Sequence, residues 1–234
     1  MEKSLNIDDD LKLIIAEKEK HSDIIYDKFM ETFLKNEPIA VSINSKMEDL
    51  KDIYLYVVGK ALKEPVSVIA YLGNECIGGA LNYIITDIPN STENPNLSFK
   101  NDFSHEIESF KKINLAARPI IVVVREIEKN YGFFIPNCKK LLKLESLFVD
   151  SNFSGKGIGT KIVKMAIEIA KKENCDYVMT VASAAGSGQI FKKLGFKCVR
   201  EISVSSFLSN GKRMLKDFHD GNKTIKLMFY KINN

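Results

Sequence analysis

Residues 150–160 read Asp-Ser-Asn-Phe-Ser-Gly-Lys-Gly-Ile-Gly-Thr, a turn with glycines at 155, 157 and 159. It follows a β-type run, Leu141 to Val149, and precedes apolar residues at helical spacing from Gly157 to Lys172. Glycines let several backbone N–H groups point at one spot, and a helix N-terminus adds about half a positive charge. The segment therefore predicts a strand, a turn and a helix that together can hold a phosphate ester.

Three generic interpretations of this turn compete. A P-loop needs Lys before Ser or Thr after its last glycine, whereas Gly159 is followed by Thr160 and then Lys161. A dinucleotide fingerprint spaces its glycines differently and lies near the first strand of its sheet, whereas these glycines alternate in the second half of the chain. The third interpretation is a tight turn without a ligand, although three glycines in six residues are more than a turn needs.

On both sides of this turn, periodicity predicts alternating strands and helices, which means a mixed sheet with helices packed on it and a right-handed crossover. Val122 to Val124 leaves one helix ambiguous with a strand. The predicted strands are Val66–Tyr71, Cys76–Thr86, Leu141–Val149, Tyr177–Ala182, Cys198–Phe207 and Ile225–Ile232. The predicted helices are a segment through Ile24–Leu34 that stops before Pro38, then Met47–Ala61, Phe99–Leu115, Ile120–Tyr131, Gly157–Lys172 and Gly188–Leu194.

Composition excludes several classes of protein. With 234 residues, 45% of them hydrophobic, 27% charged and a net charge of +4, the chain has the balance of a globular protein, not a disordered or fibrous one. The lysine doublets lie apart without interleaved aromatics, so nucleic acid is not an expected partner. An acidic N-terminus and a longest apolar run of Ile120 to Val124 predict neither a signal peptide nor a membrane span, so we expect a cytoplasmic protein.

The four cysteines, Cys76, Cys138, Cys175 and Cys198, lie far apart in the sequence. Without a Cys-x-x-Cys pair or a histidine at ligand spacing, they predict neither zinc nor any other metal. We expect them to be reduced core residues.

The stretch from Leu147 to Thr160 resembles the acyl-CoA binding signature of the GNAT superfamily of N-acetyltransferases, Gln/Arg-x-x-Gly-x-Gly/Ala, which here occupies Ser154 to Gly159. Ser154 departs from the Gln or Arg that the family prefers, which removes one side chain but no backbone donor. The likeness continues in Ile190 to Phe196, similar to the family's Leu-Tyr-x-Lys-x-Gly-Phe ending, and in the hairpin glycines Gly78 and Gly79.

This resemblance implies an α/β (α+β) GNAT fold, with a central mixed, largely antiparallel twisted sheet, flanking helices and splayed strands that hold the acyl-CoA. It implies acetyl-CoA as co-substrate and no metal. Since the glycine turn and the acidic residue considered next must share one active site, we expect a single domain over residues 1–234. The implied cofactor contacts are Leu147, Phe148, Val149, Gly155, Lys156, Gly157, Ile158, Gly159 and Thr160.

Where many GNAT enzymes have a tyrosine that protonates the leaving thiolate, this chain has Phe191. Asn36-Glu37-Pro38-Ile39 and the pair Ser183 and Ser187 resemble the glutamate motif and the serine pair of insect-type arylalkylamine N-acetyltransferases. That resemblance implies that Glu37 is the general base, through ordered water, with the two serines completing the relay. The plainer interpretation is that Glu-Pro stops a helix and that the serines cap one.

The expected reaction is direct attack of a small primary amine, such as dopamine, tyramine or serotonin, on the thioester. Alternatives are a polyamine or aliphatic amine substrate, or a non-catalytic acyl-CoA sensor. Glu145 is a rival base, and we expect none of His21, His105 and His219 to be catalytic. We expect the amine pocket to involve the loop from Pro89 to Leu97, no membrane partner, and a monomer or weak dimer.

Overall fold

The computed structural model describes residues 10–89 and 97–233. In chain order the strands are β1 (Leu11–Ile15), β2 (Val68–Leu72), β3 (Glu75–Ile85), β4 (Leu141–Val149), β5 (Tyr177–Ala182), β6 (Lys197–Ser203), β7 (Leu208–Ser209), β8 (Lys212–Arg213) and β9 (Thr224–Lys231). One sheet has the order β1-β2-β3-β4-β5-β9-β6, and β7 and β8 form a separate hairpin. Every neighbouring pair is antiparallel except β4 and β5, so the predicted fold class is confirmed.

Helices cover both faces of the sheet. They are α1 (Lys18–Asn36), α2 (Pro38–Ser42), α3 (Met47–Ala61), α4 (Ser104–Ser109), α5 (Arg118–Glu128), α6 (Ile158–Lys172) and α7 (Ala185–Lys193). Val122 and Val123, which left α5 ambiguous, are helical and buried, since Pro119 starts the helix and the apolar positions recur on one face. No helix of the described ranges is both long and apolar enough to cross a membrane.

Two apolar cores lie on opposite faces of the sheet. On one face, α6 buries Ile158, Ile162, Val163 and Ala166 against the strands. These positions follow one another at spacings of four, one and three residues, so they form one apolar stripe. Burying each large side chain stabilises the fold by about 1.5–3 kcal/mol. On the other face, residues of α1, α3 and α5 share a core with Phe148 of β4. The end of β4 therefore lies between the two layers of helices.

The parallel pair β4 and β5 separates partway along its length. Residues 141–144 of β4 pair with residues 177–180 of β5, and the register ends there, although β4 continues to Val149. At this point the register of β3 on β4 also shifts, because Leu81 pairs with Ser146 and Asn82 with Leu144. Glu145 is thus the extra residue of a β-bulge, which bends the strand. Beyond it the edge of β4 that faces β5 is open.

The predicted helix Phe99–Leu115 is wrong over most of its length, since only Ser104–Ser109 is α-helical. The rings of Phe99 and Phe103 pack on Phe207, with centroids 5.0 and 5.5 Å away. The carboxylate of Asp102 also accepts the N–H groups of Ser104 and of Gly211, each at 2.8 Å. Asp102 thus binds one N–H group nearby in the chain and one far away, and these hydrogen bonds compete with a continuous helix.

Other sequence predictions differ in smaller ways. The strand predicted over Cys198–Phe207 ends at Ser203, because Val204–Ser206 is a 3-10 turn. The prediction that all four cysteines are core residues is wrong for Cys198, which is exposed on β6 at the edge of the sheet. Strand β1 and the hairpin of β7 and β8 were not predicted. Residues 90–96 of the loop expected near the amine pocket lie outside the described residues.

Candidate active site

The glycine turn connects β4 to α6. Asp150 starts it, with its carboxylate accepting the N–H of Asn152 at 3.0 Å. Gly157 occupies the N-cap position of α6 at φ +78°, in the left-handed region that disfavours other residues. No side chain caps this helix, and a Cβ added at Gly157 would meet nothing within 4 Å. The first N–H groups of α6 therefore have no side-chain cap, and there is open space beside the N-cap residue, which suits an anion.

Gly159 serves a different purpose from Gly157. A Cβ added there would lie 2.9 Å from Cδ1 of Ile190, a residue of α7. A Cβ this close would displace the end of the Ile190 side chain, so Gly159 makes room for Ile190 of α7 to pack on α6 just behind the turn. The glycines at 157 and 159 thus have separate roles, one in backbone conformation and one in packing.

The remaining predicted cofactor contacts divide into exposed backbone and buried side chains. Leu147, Phe148 and Val149 pair with β3 on one edge, while their other edge lies in the gap between β4 and β5. Phe148 is 3% exposed and its ring packs 5.4 Å from that of Phe29. Ile158 is also buried, so these two residues can contact a ligand through their backbone. The remaining residues of the set are Gly155, Lys156 and Thr160. Gly155 is exposed and Thr160 is half-buried. Nζ of Lys156 lies 5.2 Å from the centre of the Phe153 ring.

Glu37 lies between α1 and α2 in an extended conformation, because Pro38 excludes helix from the residue before it. The side chain is buried, and its two oxygens have different partners. Oε2 accepts the N–H of Ala40 at 2.6 Å, as an N-cap of α2. Oε1 accepts the hydroxyl of Ser183 at 2.8 Å, across 146 residues of sequence. Glu37 thus ends α1, as the helix-stop interpretation expects, and it also caps α2, which was not predicted. Its other oxygen is left for a contact with the residue that follows β5.

Burial raises the pKa of Glu37 above its ordinary value, and the charge of Asp220 adds to the rise. The N–H groups of Ala40 and Ile39 and the hydroxyl of Ser183 oppose it by stabilising the carboxylate. Tyr54 also faces Glu37, and burial together with the Glu37 charge raises the pKa of the phenol. Glu37 is thus a carboxylate with increased proton affinity, as a general base for neutral pH requires.

The two predicted serines are not equivalent. Helix α7 begins at Ala185, so Ser183 precedes it and the pair does not share a helical face. The Ser183 hydroxyl donates to Glu37, whereas the Ser187 hydroxyl donates to the carbonyl of Ala184 at 3.1 Å in the first turn of α7. The structure brings Ser183 to Glu37 and leaves Ser187 one helical turn further along. Phe191, in the next turn of α7, is buried with its ring 5.1 Å from that of Phe196.

Three residues at this site were missed by sequence reasoning. Tyr54 of α3 lies on the same helical face as Leu50 and Val58, a pattern that indicates core. Asp220 and Asn222 belong to an Asp-Gly-Asn turn before β9, which gives a turn signal and nothing more. These residues were missed because they are far from Glu37 in sequence, so no local pattern connects them to it.

Glu145, the rival base, has other partners. Its carboxylate accepts the hydroxyl of Tyr83 at 3.0 Å and lies 3.3 Å from Nζ of Lys143, which also contacts Glu128. Burial alone would raise the pKa of Glu145, but Lys143 and Tyr83 outweigh it and hold the pKa below its ordinary value. A carboxylate held in its charged form by a buried lysine is a weak base, so the geometry favours Glu37.

The ion cluster around Lys143 gives a stability prediction. Lys143 is 2% exposed, so Lys143→Met leaves two carboxylates close together without a cation. We expect a loss of about 3–5 kcal/mol in the free energy of unfolding at pH 7, measured by urea denaturation. Without Lys143 the folded-state pKa values of both carboxyls rise above their unfolded values, so the deficit shrinks as the pH falls toward 4.

Lys140→Met is the matched control, because Lys140 pairs with the exposed Glu173 at 3.0 Å near the start of the same strand. A half-exposed pair of this kind is worth at most about 1 kcal/mol. Equal losses in the two variants, or a deficit at Lys143 that does not change with pH, would contradict a buried ion cluster.

Comparison with known proteins agrees with this geometry. The family model described as Acetyltransferase (GNAT) family matches residues 25–196. An uncharacterized N-acetyltransferase of Methanocaldococcus jannaschii is 36% identical over 79 residues, which are 30% of this chain and 35% of that relative. The chain thus matches about a third of that protein's length. Among the described residues, no group of three or more His, Cys, Asp or Glu side chains is arranged to hold a metal ion.

Solved structures with the same fold include two insect enzymes. Arylalkylamine N-acetyltransferase 2 from Aedes aegypti superimposes with a TM-score of 0.77 at 22% identity, covering 96% of this chain and 100% of that one. A polyamine N-acetyltransferase of Drosophila melanogaster, which forms N-acetylagmatine, gives a TM-score of 0.73 at 9% identity, with coverage of 95% and 100%. At these identities the likeness is one of fold. Because the family model spans the glycine turn, the base candidate and the strands between them, the chain belongs to the GNAT family of acetyltransferases.

Proposed function

We propose that the protein transfers the acetyl group of acetyl-CoA to the primary amine of a small arylalkylamine, with Glu37 as general base and Ser183 and Ser187 completing the relay. The observation that carries the proposal is the hydrogen bond from Ser183 to the buried carboxylate of Glu37. It connects the start of α2 to the end of β5, the strand that separates from β4. A buried carboxylate at that place has few structural uses beyond the cap that its other oxygen already makes.

The co-substrate fits the glycine turn. GNAT acetyltransferases use acetyl-CoA, whose pyrophosphate needs several N–H donors at one point. Gly157 at φ +78° and the uncapped start of α6 supply such donors with open space in front of them. The pantetheine would run along the open edge of Leu147 to Val149. The predicted contacts at Gly155, Lys156, Ile158, Gly159 and Thr160 remain part of this proposal.

The reaction balances with the residues present. An alkylamine has a pKa of about 10 and arrives protonated, so its proton passes through an ordered water to Glu37. The neutral nitrogen then attacks the thioester carbonyl and forms the C–N bond, while the carbonyl oxygen takes the negative charge. In this proposal, backbone N–H groups at the open edge of β4 stabilise that oxyanion. The C–S bond breaks, the electron pair leaves with sulfur, and the nitrogen loses its second proton to solvent.

Phe191 stands at the family's tyrosine position and has no proton to give to the departing thiolate. A thiolate with a pKa of about 8.5 can leave as the anion or take a proton from water. Ser187, in the first turn of α7, is the nearer of the two proposed serines to Phe191 along the chain. We therefore place Ser187 on the leaving-group side of the relay and Ser183 on the side of the base.

Aromatic side chains beside Glu37 support an arylalkylamine. The rings of Phe29 and Phe33 pack on Tyr54 at 5.2 and 5.3 Å, and Phe29 also contacts Phe148 of β4. Phe33 is half-buried, so one side of this aromatic group is accessible. The Tyr54 hydroxyl is buried and finds no hydrogen-bond partner in the part of the chain that the structure describes. An aryl ring with a polar substituent matches such surroundings better than a flexible polyamine does.

The test is thiol release from acetyl-CoA with a panel of amines. Dopamine, tyramine and serotonin form one arm, and agmatine, putrescine and spermidine the other. We expect kcat/KM for the arylalkylamines to exceed that for the polyamines by at least about tenfold, since one aromatic contact is worth about 0.5–1.5 kcal/mol and several are available. Preference for the polyamines would assign the substrate to the alternative class. Tight acetyl-CoA binding without turnover of any amine would instead indicate a sensor.

A further inference from the structure

The backbone on either side of the proposed catalytic serine is held by a distant turn. Ser183 lies between β5 and α7, outside both. Its carbonyl oxygen accepts Nδ2 of Asn222 at 2.6 Å. The same Nδ2 donates to the carbonyl of Thr224, the first residue of β9, at 2.7 Å. The Asn222 amide thus joins the segment that carries Ser183 to the strand beside it.

Asp220 holds the same segment from its other end. Its Oδ2 accepts the N–H of Ala185, the first residue of α7, at 2.7 Å. Ala184, at the N-cap position, has no side chain that could cap the helix, so Asp220 caps it from across the site. Oδ1 of Asp220 accepts the N–H of Asn222 at 3.0 Å. Asp220 and Asn222 are therefore bonded to each other and to the residues on both sides of Ala184.

We propose that Asp220 and Asn222 are positioning residues that hold the Ser183 hydroxyl against the carboxylate of Glu37; this inference rests on the proposed function, in which Glu37 is the base. A serine side chain has one rotatable bond before its oxygen, so the place of Oγ follows the place of the backbone. Hydrogen bonds weaken steeply with distance and angle. A small movement of residues 183–185 would therefore break the contact of 2.8 Å with Glu37.

The two residues affect the base in opposite directions. Ser183 donates to Glu37 and lowers its pKa, so Asn222 acts, through Ser183, to lower it. Asp220 carries a negative charge that raises the pKa of Glu37. The other groups that face Glu37 are the Tyr54 phenol from α3 and the N–H groups of Ala40 and Ile39 in α2. None of these groups is a partner in the hydrogen bonds of Asp220 and Asn222 given above. Variants of Asp220 and Asn222 should therefore be separable by the sign of their effect.

The experiment titrates the Glu37 carboxyl by carbon-13 NMR in the ligand-free protein, with acetylation kinetics measured beside it. Asn222→Ala and Ser183→Ala should each raise the pKa of Glu37, and the double variant should add nothing further. Asp220→Asn keeps an oxygen for the Ala185 N–H but loses the charge and the acceptor for the Asn222 N–H, and the loss of charge should lower the pKa of Glu37. Asp217→Asn is the control, since Asp217 is exposed and pairs with Arg213 outside the site.

In kinetics we expect Asn222→Ala to lower kcat about tenfold or more, the loss typical of a hydrogen bond to a charged group, with KM for acetyl-CoA within about twofold. A purely structural role would lower the melting temperature and leave the pKa of Glu37 unmoved, which would overturn the inference. If Asn222→Ala does not fold, a comparison of Asp220→Ala with Asp220→Asn decides, because both variants lose the charge and only the alanine variant loses the oxygen that holds the Ala185 N–H. We then expect a higher pKa of Glu37 in Asp220→Ala than in Asp220→Asn, and equal values would overturn the inference. The expected pKa shifts without turnover of any amine would support the positioning role and contradict the proposed function instead.

Discussion

Gly157→Val is expected to abolish binding of acetyl-CoA, with an increase in Kd of at least about a hundredfold. Two effects act together. At φ +78° a β-branched side chain is strained, so the turn moves toward another conformation. A side chain at this position would also fill the open space in front of the α6 N-terminus, which is where a pyrophosphate must lie. The measurement is calorimetric titration of the variant with acetyl-CoA and with desulfo-CoA.

Gly211→Val is the matched control for the strain. Gly211 lies in the turn between β7 and β8 at φ +70°, and a Cβ added there also meets nothing within 4 Å. Both variants should therefore lose similar stability, about 1–2 kcal/mol, while only the first loses the ligand. Full affinity in Gly157→Val, or an equal loss of affinity in both variants, would show that the ligand binds somewhere other than the glycine turn.

The glycine turn could be predicted from sequence because its chemistry is local. Three glycines between an apolar strand and an amphipathic helix are adjacent in the chain, and each constrains its own backbone. The helix stop at Glu37 was predictable for the same reason, since Pro38 acts on the residue before it. Both features appear in the structure as expected. In each case the residues that determine the local conformation lie within a few positions of one another in the chain.

The contact between Glu37 and Ser183 has no local signal. It joins residues 146 apart, and only a resemblance to a known family paired them. Asp220 and Asn222 could not be predicted, because they bind backbone carbonyl and N–H groups, and a pattern of side chains does not show which backbone groups they bind. The bulge at Glu145 depends on how β3 and β4 align, and a period-two pattern along β4 alone cannot locate the extra residue.

The failure at Phe99–Leu115 has a related cause. The apolar spacing fits a helix, but the rings of Phe99 and Phe103 pack on Phe207. Asp102 also accepts the N–H of Gly211, which is far away in the sequence. Tertiary contacts therefore replaced the local preference that periodicity measures. The same holds for β1, whose five residues have mixed burial and gain their place by pairing with β2.

Glu37→Gln is expected to lower kcat by about 10²–10⁴-fold at pH 7, the range of a lost general base, with little change in the affinity for acetyl-CoA. Glutamine keeps an oxygen for the Ala40 N–H, so the start of α2 stays capped. The wild-type rate should fall as the pH drops through the raised pKa of Glu37, and this acidic limb should be absent from the variant. Toward pH 9.5 more of the amine is neutral, so the difference in rate should narrow.

Two comparisons make this result specific. Glu31→Gln, on the exposed face of the same helix α1, should keep the wild-type pH profile. Glu145→Gln tests the rival base directly. Should it remove the acidic limb while Glu37→Gln retains it, the base would be Glu145 and the relay through Ser183 would be wrong. Unchanged rates at every pH in Glu37→Gln would likewise exclude Glu37 from the mechanism.

Stability separates a catalytic role for Glu37 from a structural one. Because the folded-state pKa of Glu37 is raised above its unfolded value, the stability that this group contributes is present below the unfolded pKa and is lost as the pH rises through the folded pKa. Thermal melts should therefore show the wild type losing stability relative to Glu37→Gln between pH 4 and pH 8. A residue kept for stability would show the opposite trend. Because the charged form of Glu37 destabilises the fold, we expect the variant to be at least as stable as the wild type near neutral pH. Because it lacks the proposed base, we also expect it to be nearly inactive.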